Sequence, residues 1–427
     1  MPNKCPWNGL IFDSQHVAIK HDSGDWTNSV YYLAHQLAVS MRGSYPHLSF
    51  RRHWQITPRT QYELGQCDAI IQAISNTPLL PNYHERLLTV SLTKGAQATT
   101  AIEGNTLSEE EVRQVAAGAT LPPSKEYQQV EVRNILDAFN TLLDEVAGGN
   151  QSELISPQLL LRFHRMIGQN LGAHFDAIPG EFRRDNRVVG PYRTPEHEDV
   201  PELVETMCRW LAQEFHFSAG QSFDDAVIQA IVTHLYIEWI HPFGDGNGRT
   251  GRLVEFSLLL RAGNPDIASH ILSNFYNETR SEYYRQIDLA YRQNDLSGFI
   301  SYAVQGFRDG LRKTLTEIQR SQFEITWRKL IYDRFADRKY TKKSVHKRQQ
   351  LLALSLPIGQ WTSIGSVRLL TPEIARHYAT LSDRTVRRDL DLLLEMQLVL
   401  EHGDEISPNS GLLQSQVPRK RRPASTS

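Results

Sequence analysis

The stretch IHPFGDGNGRTGR, residues 240–252, determines more of the expected structure than any other part of the chain. The apolar residues upstream of it follow the spacing of a helix. Pro242 disfavours helical backbone at His241, so we expect that helix to end at the histidine. Four glycines and Asn247 then permit a tight loop with positive φ angles, and a second helix is expected to begin near Arg249. The stretch therefore predicts a helix–loop–helix with a histidine at the exit of the first helix.

This loop has the composition of a polyphosphate site. A glycine-rich turn that opens a helix directs several backbone N–H groups at one point, which suits an anion. Arg249 and Arg252 are three residues apart at the start of the second helix, so their side chains project on nearly the same side. Two guanidinium groups above such a turn suit a polyphosphate better than a single carboxylate. Asp245 supplies an oxygen ligand for Mg²⁺, which phosphate chemistry commonly requires.

Two other interpretations of the loop stay open. Gly246, Gly248 and Gly251 match the G-x-G-x-x-G fingerprint of dinucleotide-binding folds, and Asp266 lies twenty residues after Gly246. That fingerprint requires a strand before the loop, whereas a helical pattern precedes it here. The second alternative is an ordinary helix–loop–helix turn with exposed charges. A Walker A loop is excluded, because the chain contains no G-x-x-x-x-G-K-[ST] sequence.

The string HPFGDGNGRTGR resembles the signature of the Fic-domain family, His-x-Phe-x-Asp/Glu-Gly-Asn-Gly-Arg-x-x-Arg, and every fixed position matches. The resemblance implies a helical core over roughly residues 90–320 with a β-hairpin flap at 179–190. It also implies a protein adenylyltransferase, which uses ATP and Mg²⁺ to place AMP on a Ser, Thr or Tyr hydroxyl of a target protein or of the enzyme itself.

The resemblance assigns roles to the loop, position by position. His241 becomes the general base, and histidine suits that role because its ordinary pKa of about 6.5 lies near working pH. Asp245 holds Mg²⁺. Arg249 stabilises the leaving diphosphate, and Arg252 holds the γ-phosphate. The remaining ATP-contacting positions of the loop are Gly244, Gly246, Asn247 and Gly248.

Other residues receive roles from the same resemblance. Phe243 anchors the loop in the core, and aromatic and polar side chains after the loop contribute to an adenine pocket. The positions expected in that pocket are Asn277, Arg280, Tyr283 and Tyr284. Residues of a flap receive the target backbone by strand addition. The flap positions expected to contact the target are Glu181, Phe182, Val188 and Val189. A plain surface hairpin, turning at Asp185 and Asn186, is the alternative for that segment.

The segment TTAIEGN, residues 99–105, resembles the inhibitory helix of the family, Ser/Thr-x-x-x-Glu-Gly/Asn. We expect that helix at about residues 88–104. The resemblance implies that Thr99 and Glu103 belong to a brake in which Glu103 pairs with Arg252. One arginine does not serve both a carboxylate and a phosphate. ATP would then bind unproductively. The alternative is that Glu103 is merely an exposed residue at a helix end.

The 427 residues divide unequally in charge. Residues 1–320 carry 28 Lys and Arg against 37 Asp and Glu, whereas residues 321–427 carry 18 against 11. Such a split indicates an acidic body joined to a basic module. We expect an N-terminal extension over 1–60, a catalytic domain over 61–320, a second domain over 321–410 and a disordered basic tail over 411–427.

The second domain resembles a winged helix-turn-helix. Thr371 and Pro372 begin one short helix, and Ser382 caps a second, in which Arg384, Arg387 and Arg388 lie on the first turns. This surface favours DNA binding or protein contact about equally, because aspartates interrupt the positive face. A homodimer is a further expectation. Two functions follow: a protein-modifying enzyme, or a DNA-binding regulator that senses ATP.

Composition narrows the class of protein. Three distant cysteines, Cys5, Cys67 and Cys208, exclude a disulfide framework or a cysteine zinc site. No apolar run approaches the roughly 18 residues of a spanning helix. The N-terminus has no secretory signal pattern. We therefore expect a cytoplasmic protein with no membrane partner and a mainly α fold.

Overall fold

The computed structural model describes residues 45–149, 155–215, 223–340 and 342–414, and the backbone of 10–13 and 16–19. Its contacts divide the chain into two compact units, Met1–Leu315 and Thr316–Ser427. The fold is mainly helical with short antiparallel strands, as the sequence predicts. Within the described ranges, no helix is both long and apolar enough to cross a membrane.

The first unit consists of helices and two small hairpins, which we number in chain order, and its last helix continues into the second unit. The elements are β1 (Leu10–Asp13), β2 (His16–Ile19), α1 (Pro58–Ser75), α2 (Pro81–Ile102), α3 (Glu109–Ala116), α4 (Glu126–Ala147), α5 (Pro157–Gly168), β3 (Val188–Val189), β4 (Tyr192–Arg193), α6 (Val200–Glu214), α7 (Phe223–Ile240), α8 (Asn247–Arg261), α9 (Ile271–Glu278), α10 (Arg280–Gln293) and α11 (Ser297–Ala336).

The helix starts follow local sequence signals. Ser108 and Glu111 form a capping box at α3, in which each side chain bonds the other's backbone N–H. Ser156 caps α5 by accepting from the Leu159 N–H, with Pro157 at the first helical position. These caps satisfy backbone donors that a helix start otherwise leaves unpaired.

Helix α7 forms the centre of the first unit. It is apolar around most of its circumference, and it packs closely against α8. A helix that is hydrophobic on all sides is buried by its neighbours. Leu235, Ile237 and Ile240 are completely shielded from solvent. The loop between α7 and α8 is therefore held by the most buried part of the unit.

The hairpin predicted at 179–190 differs from the one observed in the structure. Its strands are β3 and β4, paired antiparallel with Val188 opposite Arg193 and Val189 opposite Tyr192. The predicted range 179–190 contains only β3, and the turn falls at Gly190 and Pro191 rather than at Asp185 and Asn186. Gly190 has a φ angle of +56°, which glycine adopts without steric cost and which suits a tight turn. The flap hairpin therefore spans 188–193.

The second unit combines short helices with a three-stranded antiparallel sheet. Its elements after α11 are α12 (Lys343–Ser355), β5 (Thr362–Ser363), α13 (Pro372–Tyr378), α14 (Asp383–Glu395), β6 (Val399–His402), β7 (Glu405–Pro408) and α15 (Gly411–Gln414). The sheet order is β5-β7-β6. Sequence patterns indicate α13, α14 and the β6–β7 wing but not β5, since two residues carry no periodicity.

Several boundaries differ from those expected. Helix α11 runs to Ala336, so the predicted domain boundary at 320/321 falls inside a continuous helix. Residues 411–414, expected in a disordered tail, form a short helix. The remainder of that tail, 415–427, lies outside the described residues. Part of the predicted extension 1–60 is structured, because β1 pairs with β2 and α1 begins at Pro58.

Candidate active site

The loop between α7 and α8 has two residues with left-handed backbone. His241 has a φ angle of +50° and Gly246 one of +81°. The histidine does leave the helical region ahead of Pro242. Such a conformation costs a non-glycine residue on the order of 1–3 kcal/mol, so surrounding contacts must hold it. The expectation of several positive φ angles at glycines was wrong, because helix α8 already begins at Asn247 and only Gly246 of the four needs that freedom.

The other loop glycines allow close approach instead. A Cβ at Gly244 would lie 2.4 Å from the backbone oxygen of Asp176. One at Gly251 would lie 2.8 Å from Cδ2 of the buried His234 ring. Both positions therefore bring another part of the unit against the loop without a side chain between them.

Asn247 and Phe243 close the loop on itself. The Asn247 side chain accepts from the Phe243 N–H and donates to the Phe243 carbonyl, both at 2.9 Å. The Phe243 ring is buried and stacks on His164 with a centroid distance of 3.8 Å. His164 in turn lies 3.0 Å from the Asp245 carbonyl. The Asn247 side chain thus shapes the loop, whereas the sequence had assigned it to phosphate oxygens.

His241 is half-buried at the exit of α7. Its Nδ1 lies 3.4 Å from the Glu238 carbonyl. Burial lowers the pKa of the imidazole, although the Glu238 carboxylate opposes the shift. A neutral imidazole at neutral pH has a ring nitrogen available to accept a proton. The geometry is compatible with a general base.

Arg249 lies between two carboxylates. Its Nη2 donates to Asp245 Oδ1 at 2.6 Å, and its Nη1 pairs with the buried Glu131 of α4. Glu131 also accepts from Asn105 at 2.8 Å, which connects Arg249 to the end of the predicted inhibitory helix. Sequence reasoning missed Glu131. Its only signal is a carboxylate on the apolar face of an amphipathic helix.

Arg252 is held by the end of helix α2 and by Glu103, which directly follows it; the helix spans 81–102 where 88–104 was expected. The Arg252 side chain is 1% exposed and donates to Glu103 Oε1 at 2.5 Å. Its Nε donates to Thr99 Oγ1 at 2.9 Å and its Nη2 to the Thr99 carbonyl at 3.0 Å. A Cβ at Gly248 would lie 2.4 Å from the same Glu103 oxygen, so the carboxylate rests against the first turn of α8. The structure brings Thr99, Glu103 and Arg252 together.

A buried polar cluster lies between the helices next to the loop. His234 Nδ1 lies 3.0 Å from Glu255, and its Nε2 lies 3.6 Å from Glu238 and 3.0 Å from the Tyr283 hydroxyl. The two carboxylates raise the His234 pKa to about 9 although burial opposes the charge. Tyr276 donates to Glu255 at 2.9 Å. Sequence analysis did not identify this cluster, because Glu255, Tyr276 and Tyr283 lie far from His234 along the chain.

The expected adenine-pocket residues do not share one environment. Tyr284 is partly exposed, and its hydroxyl donates to the Ile102 carbonyl at 3.3 Å, at the end of α2. Arg280 lies 5.9 Å from the Tyr284 ring centroid, and Asn277 is half-buried. Tyr283 is fully buried, with its hydroxyl 3.0 Å from His234 Nε2, as in a core position.

The flap residues fall into two groups. Val188 and Val189 of β3 are 69% and 43% exposed. Glu181 is exposed and pairs with Arg184 at 2.8 Å. Phe182 instead lies beside the loop, with its ring centroid 5.8 Å from that of Phe243. Two exposed apolar side chains on a short strand suit the addition of another strand.

The site fits a polyphosphate and one divalent cation. Arg249 Nε and Arg252 Nη1 are buried donors without a hydrogen-bond partner among the described residues. Unpaired buried donors favour an anionic ligand. No cluster of three or more metal-ligating side chains occurs in the described ranges. Mg²⁺ is commonly held by one or two carboxylates together with phosphates, which Asp245 satisfies.

Comparison with known families matches residues 154–259 to the Fic/DOC family. The protein adenylyltransferase fic-1 of Caenorhabditis elegans is 27% identical over 227 residues, which cover 53% of this chain and 42% of that protein. The protein adenylyltransferase Fic of Drosophila ananassae is 32% identical over 219 residues, covering 51% and 39%. The chain thus spans about two fifths of the length of these curated relatives.

Solved structures show the same fold. A Fic family protein from Desulfovibrio desulfuricans G20 aligns with a TM-score of 0.51 and 19% identity, over 84% of this chain and 98% of that one. Residues 134–508 of Fic-1 from C. elegans align with a TM-score of 0.50 and 22% identity, over 70% and 80%. At these identities the likeness concerns the fold.

Proposed function

Because the chain carries a Fic/DOC domain, we propose that it is a protein adenylyltransferase that transfers AMP from ATP to a side-chain hydroxyl. The observation that carries this proposal is the convergence of His241, Arg249 and Arg252 around one short loop at the N-terminus of α8. The names of its relatives support the same activity. A histidine has no use in a site that only senses ATP, so the regulator alternative is not favoured.

His241 takes the proton of the target hydroxyl. Its imidazole is neutral at neutral pH because burial lowers its pKa. The hydroxyl oxygen forms a bond to the α-phosphorus as the bond from that phosphorus to the diphosphate breaks, and the proton passes to the imidazole. Removing such a base typically lowers the rate by about 10² to 10⁴.

Asp245 and the two arginines bind the triphosphate. Asp245 offers the single carboxylate for Mg²⁺, which when bound neutralises negative charge on the phosphates. Arg249 stabilises the charge that develops on the leaving diphosphate, through its Nε donor, which has no hydrogen-bond partner within the described ranges. Arg252 binds the γ-phosphate. By the same resemblance, Gly244, Gly246 and Gly248 contact the phosphates.

Helix α2 acts as a brake in this proposal. Glu103 and Thr99 occupy Arg252, so a γ-phosphate at Arg252 must displace the carboxylate. ATP that binds beside the carboxylate has its phosphates misplaced, and transfer is slow. The family match at 154–259 does not include this helix. The ion pair at 2.5 Å is what supports the brake.

The partners proposed are a target protein and, for self-modification, the chain itself. The exposed strand β3, with Val188 and Val189, receives a segment of the target by strand addition. Asn277 and Tyr284 line the adenine side of the site. The second unit contributes target choice, through a partner protein or DNA.

Three proteins test the proposal: the unaltered chain, Glu103→Gly, and Glu103→Gly combined with His241→Ala. Each is incubated with α-labelled ATP and Mg²⁺, alone and with cell lysate, and protein-bound label is counted. We expect strong labelling only for Glu103→Gly, and a decrease of at least about 100-fold when the histidine is removed.

The control is Glu110→Gly, which removes an exposed glutamate seven residues after Glu103 that pairs with Arg113. It should label no more than the unaltered chain. Equal labelling of Glu103→Gly and the double variant would contradict the role of His241. Stoichiometric ATP binding without release of diphosphate would instead identify an ATP sensor.

A further inference from the structure

The buried side chain of Arg183 connects the flap to the catalytic histidine. Arg183 lies between α5 and β3 and is 6% exposed. Its Nε donates to the His241 carbonyl at 2.7 Å, and its own backbone N–H donates to the Pro242 carbonyl at 2.9 Å. One residue therefore binds the carbonyl oxygens of both His241 and Pro242.

The same guanidinium also binds the two ends of the flap. Its Nη1 donates to the Asp185 carbonyl at 2.7 Å, ahead of β3. Its Nη2 donates to the Pro195 carbonyl at 2.6 Å, after β4. The planar guanidinium presents its donors in a rigid fork, so the three acceptor carbonyls are fixed relative to one another.

We propose that Arg183 is a positioning residue, which holds His241 in its left-handed backbone and sets its distance from a target strand on the flap. The inference rests on the proposed transfer reaction. His241 has a φ angle of +50°, a conformation that persists only when neighbouring contacts enforce it. The hydrogen bonds to the His241 and Pro242 carbonyls stabilise this backbone conformation. Those to the Asp185 and Pro195 carbonyls connect the same guanidinium to the flap.

The charge of Arg183 provides a second, independent readout. Burial is the main factor that lowers the His241 pKa, and the positive charge of Arg183 lowers it further. The Glu238 and Glu103 carboxylates act in the opposite direction. Removing the Arg183 charge should therefore shift the acidic limb of the pH–rate profile to higher pH.

The test uses full-length chain carrying Glu103→Gly, with Arg183→Gln or Arg183→Lys added. AMP transfer from α-labelled ATP to the chain, pH–rate profiles and the affinity for a non-hydrolysable ATP analogue are measured. A misplacement of about 1 Å typically costs about 100-fold in rate. We expect Arg183→Gln to lose 10- to 100-fold in rate with little change in nucleotide affinity, and to move the acidic limb upward.

Arg183→Lys separates charge from geometry. A lysine keeps the positive charge but not the planar fork, so the acidic limb should stay near that of the parent while the rate remains reduced. The matched control is Arg209→Gln, which replaces an exposed arginine of α6 that pairs with Glu205. It should reproduce the parent in rate, affinity and pH profile.

Each outcome distinguishes the two proposals. A parent Glu103→Gly chain that transfers no AMP overturns the proposed function. An active parent with an equally active Arg183→Gln overturns the positioning role alone. If Arg183→Gln does not fold, the lysine variant decides. A lysine variant with parental rate, or one that loses nucleotide affinity in proportion to rate, contradicts the inference.

Discussion

At the scale of single residues, the protonation of His241 sets the pH range of the proposed reaction. Burial lowers its pKa, and Glu103, which opposes the shift, is absent from a Glu103→Gly chain. The neutral base should therefore persist below the ordinary value of about 6.5. We expect the midpoint of the acidic limb of the Glu103→Gly transfer rate to lie below pH 6.5. A midpoint at or above 6.5 in the measured profile would contradict this assignment.

The tight packing around Gly251 leads us to expect that a side chain at this position lowers the free energy of unfolding. A Cβ there would lie 2.8 Å from the His234 ring, which Glu255 and Tyr283 hold in place. Gly251→Ala should therefore lower the free energy of unfolding by about 1–3 kcal/mol, as overpacking does. Gly65→Ala, in helix α1 with nothing within 4 Å of the added Cβ, should be neutral or stabilising by up to about 1 kcal/mol. Chemical denaturation of both variants measures the difference.

The residues of the loop were predictable to different degrees. The positions of His241, Arg249 and Arg252 follow from a short motif, because the spacing on a helix fixes which side chains converge. The partners Glu131 and Arg183 were not predictable. They come from other elements, and only the packing of α4 and the flap segment brings them to the loop.

At the scale of elements, helix α2 makes a graded prediction about the brake. Thr99→Val removes the hydroxyl that accepts from Arg252 Nε but leaves Glu103 in place. A hydrogen bond to a charged group contributes about 1.5–3 kcal/mol. Self-labelling should therefore rise by less than in Glu103→Gly, yet clearly above that of the unaltered chain.

Thr93→Val is the control on the same helix. Thr93 is equally buried, but its hydroxyl donates to the Thr89 carbonyl within α2. It should not increase labelling. If both threonine variants release activity alike, the helix is loosened in general and the specific contact with Arg252 does not matter.

Long helices were easier to predict than the flap. The helical pattern of the sequence predicts helices over 126–146, 224–240 and 280–294, and α4, α7 and α10 lie within one residue of those bounds. Apolar periodicity persists over many turns of such helices. The hairpin was misplaced because Asp185 and Asn186 resemble a turn, whereas the actual turn is Gly190 and Pro191. Strands of two residues offer no alternation to correct such an error.

At the scale of the whole molecule, the second unit depends on a buried charge. Asp389 of α14 is inaccessible and binds Arg348, Gln349 and the Tyr378 hydroxyl. Removing one partner of a buried pair leaves the other charge uncompensated. We expect Asp389→Ala to lower the stability of this unit by about 3–5 kcal/mol. Calorimetry of the full chain should show the loss.

Asp391→Ala is the control, because Asp391 is an exposed neighbour on α14 that pairs with Arg387. An exposed pair contributes at most about 1 kcal/mol. Equal destabilisation by both substitutions would mean that the buried cluster is not what holds the unit together.

The predicted basic surface of the second unit is smaller than its composition indicates. Four of the 18 Lys and Arg in residues 321–427 lie at 419–422, outside the described residues. Arg348 is buried on Asp389, and Arg387 pairs with Glu401 and Asp391. Net charge could be counted from the sequence, but its neutralisation by internal pairs could not.

Because Arg252 is almost completely buried, removing the inhibitory carboxylate should also change the thermal stability of the chain. A shielded cation needs a permanent counter-anion, and the resting chain supplies one from its own helix. Removing the Glu103 carboxylate activates the proposed enzyme. It also leaves the buried positive charge of Arg252 without that counter-charge. The Glu103→Gly chain should consequently have a lower melting temperature than the unaltered chain when no nucleotide is bound. Adding ATP should raise it again, because the phosphates supply the missing negative charge.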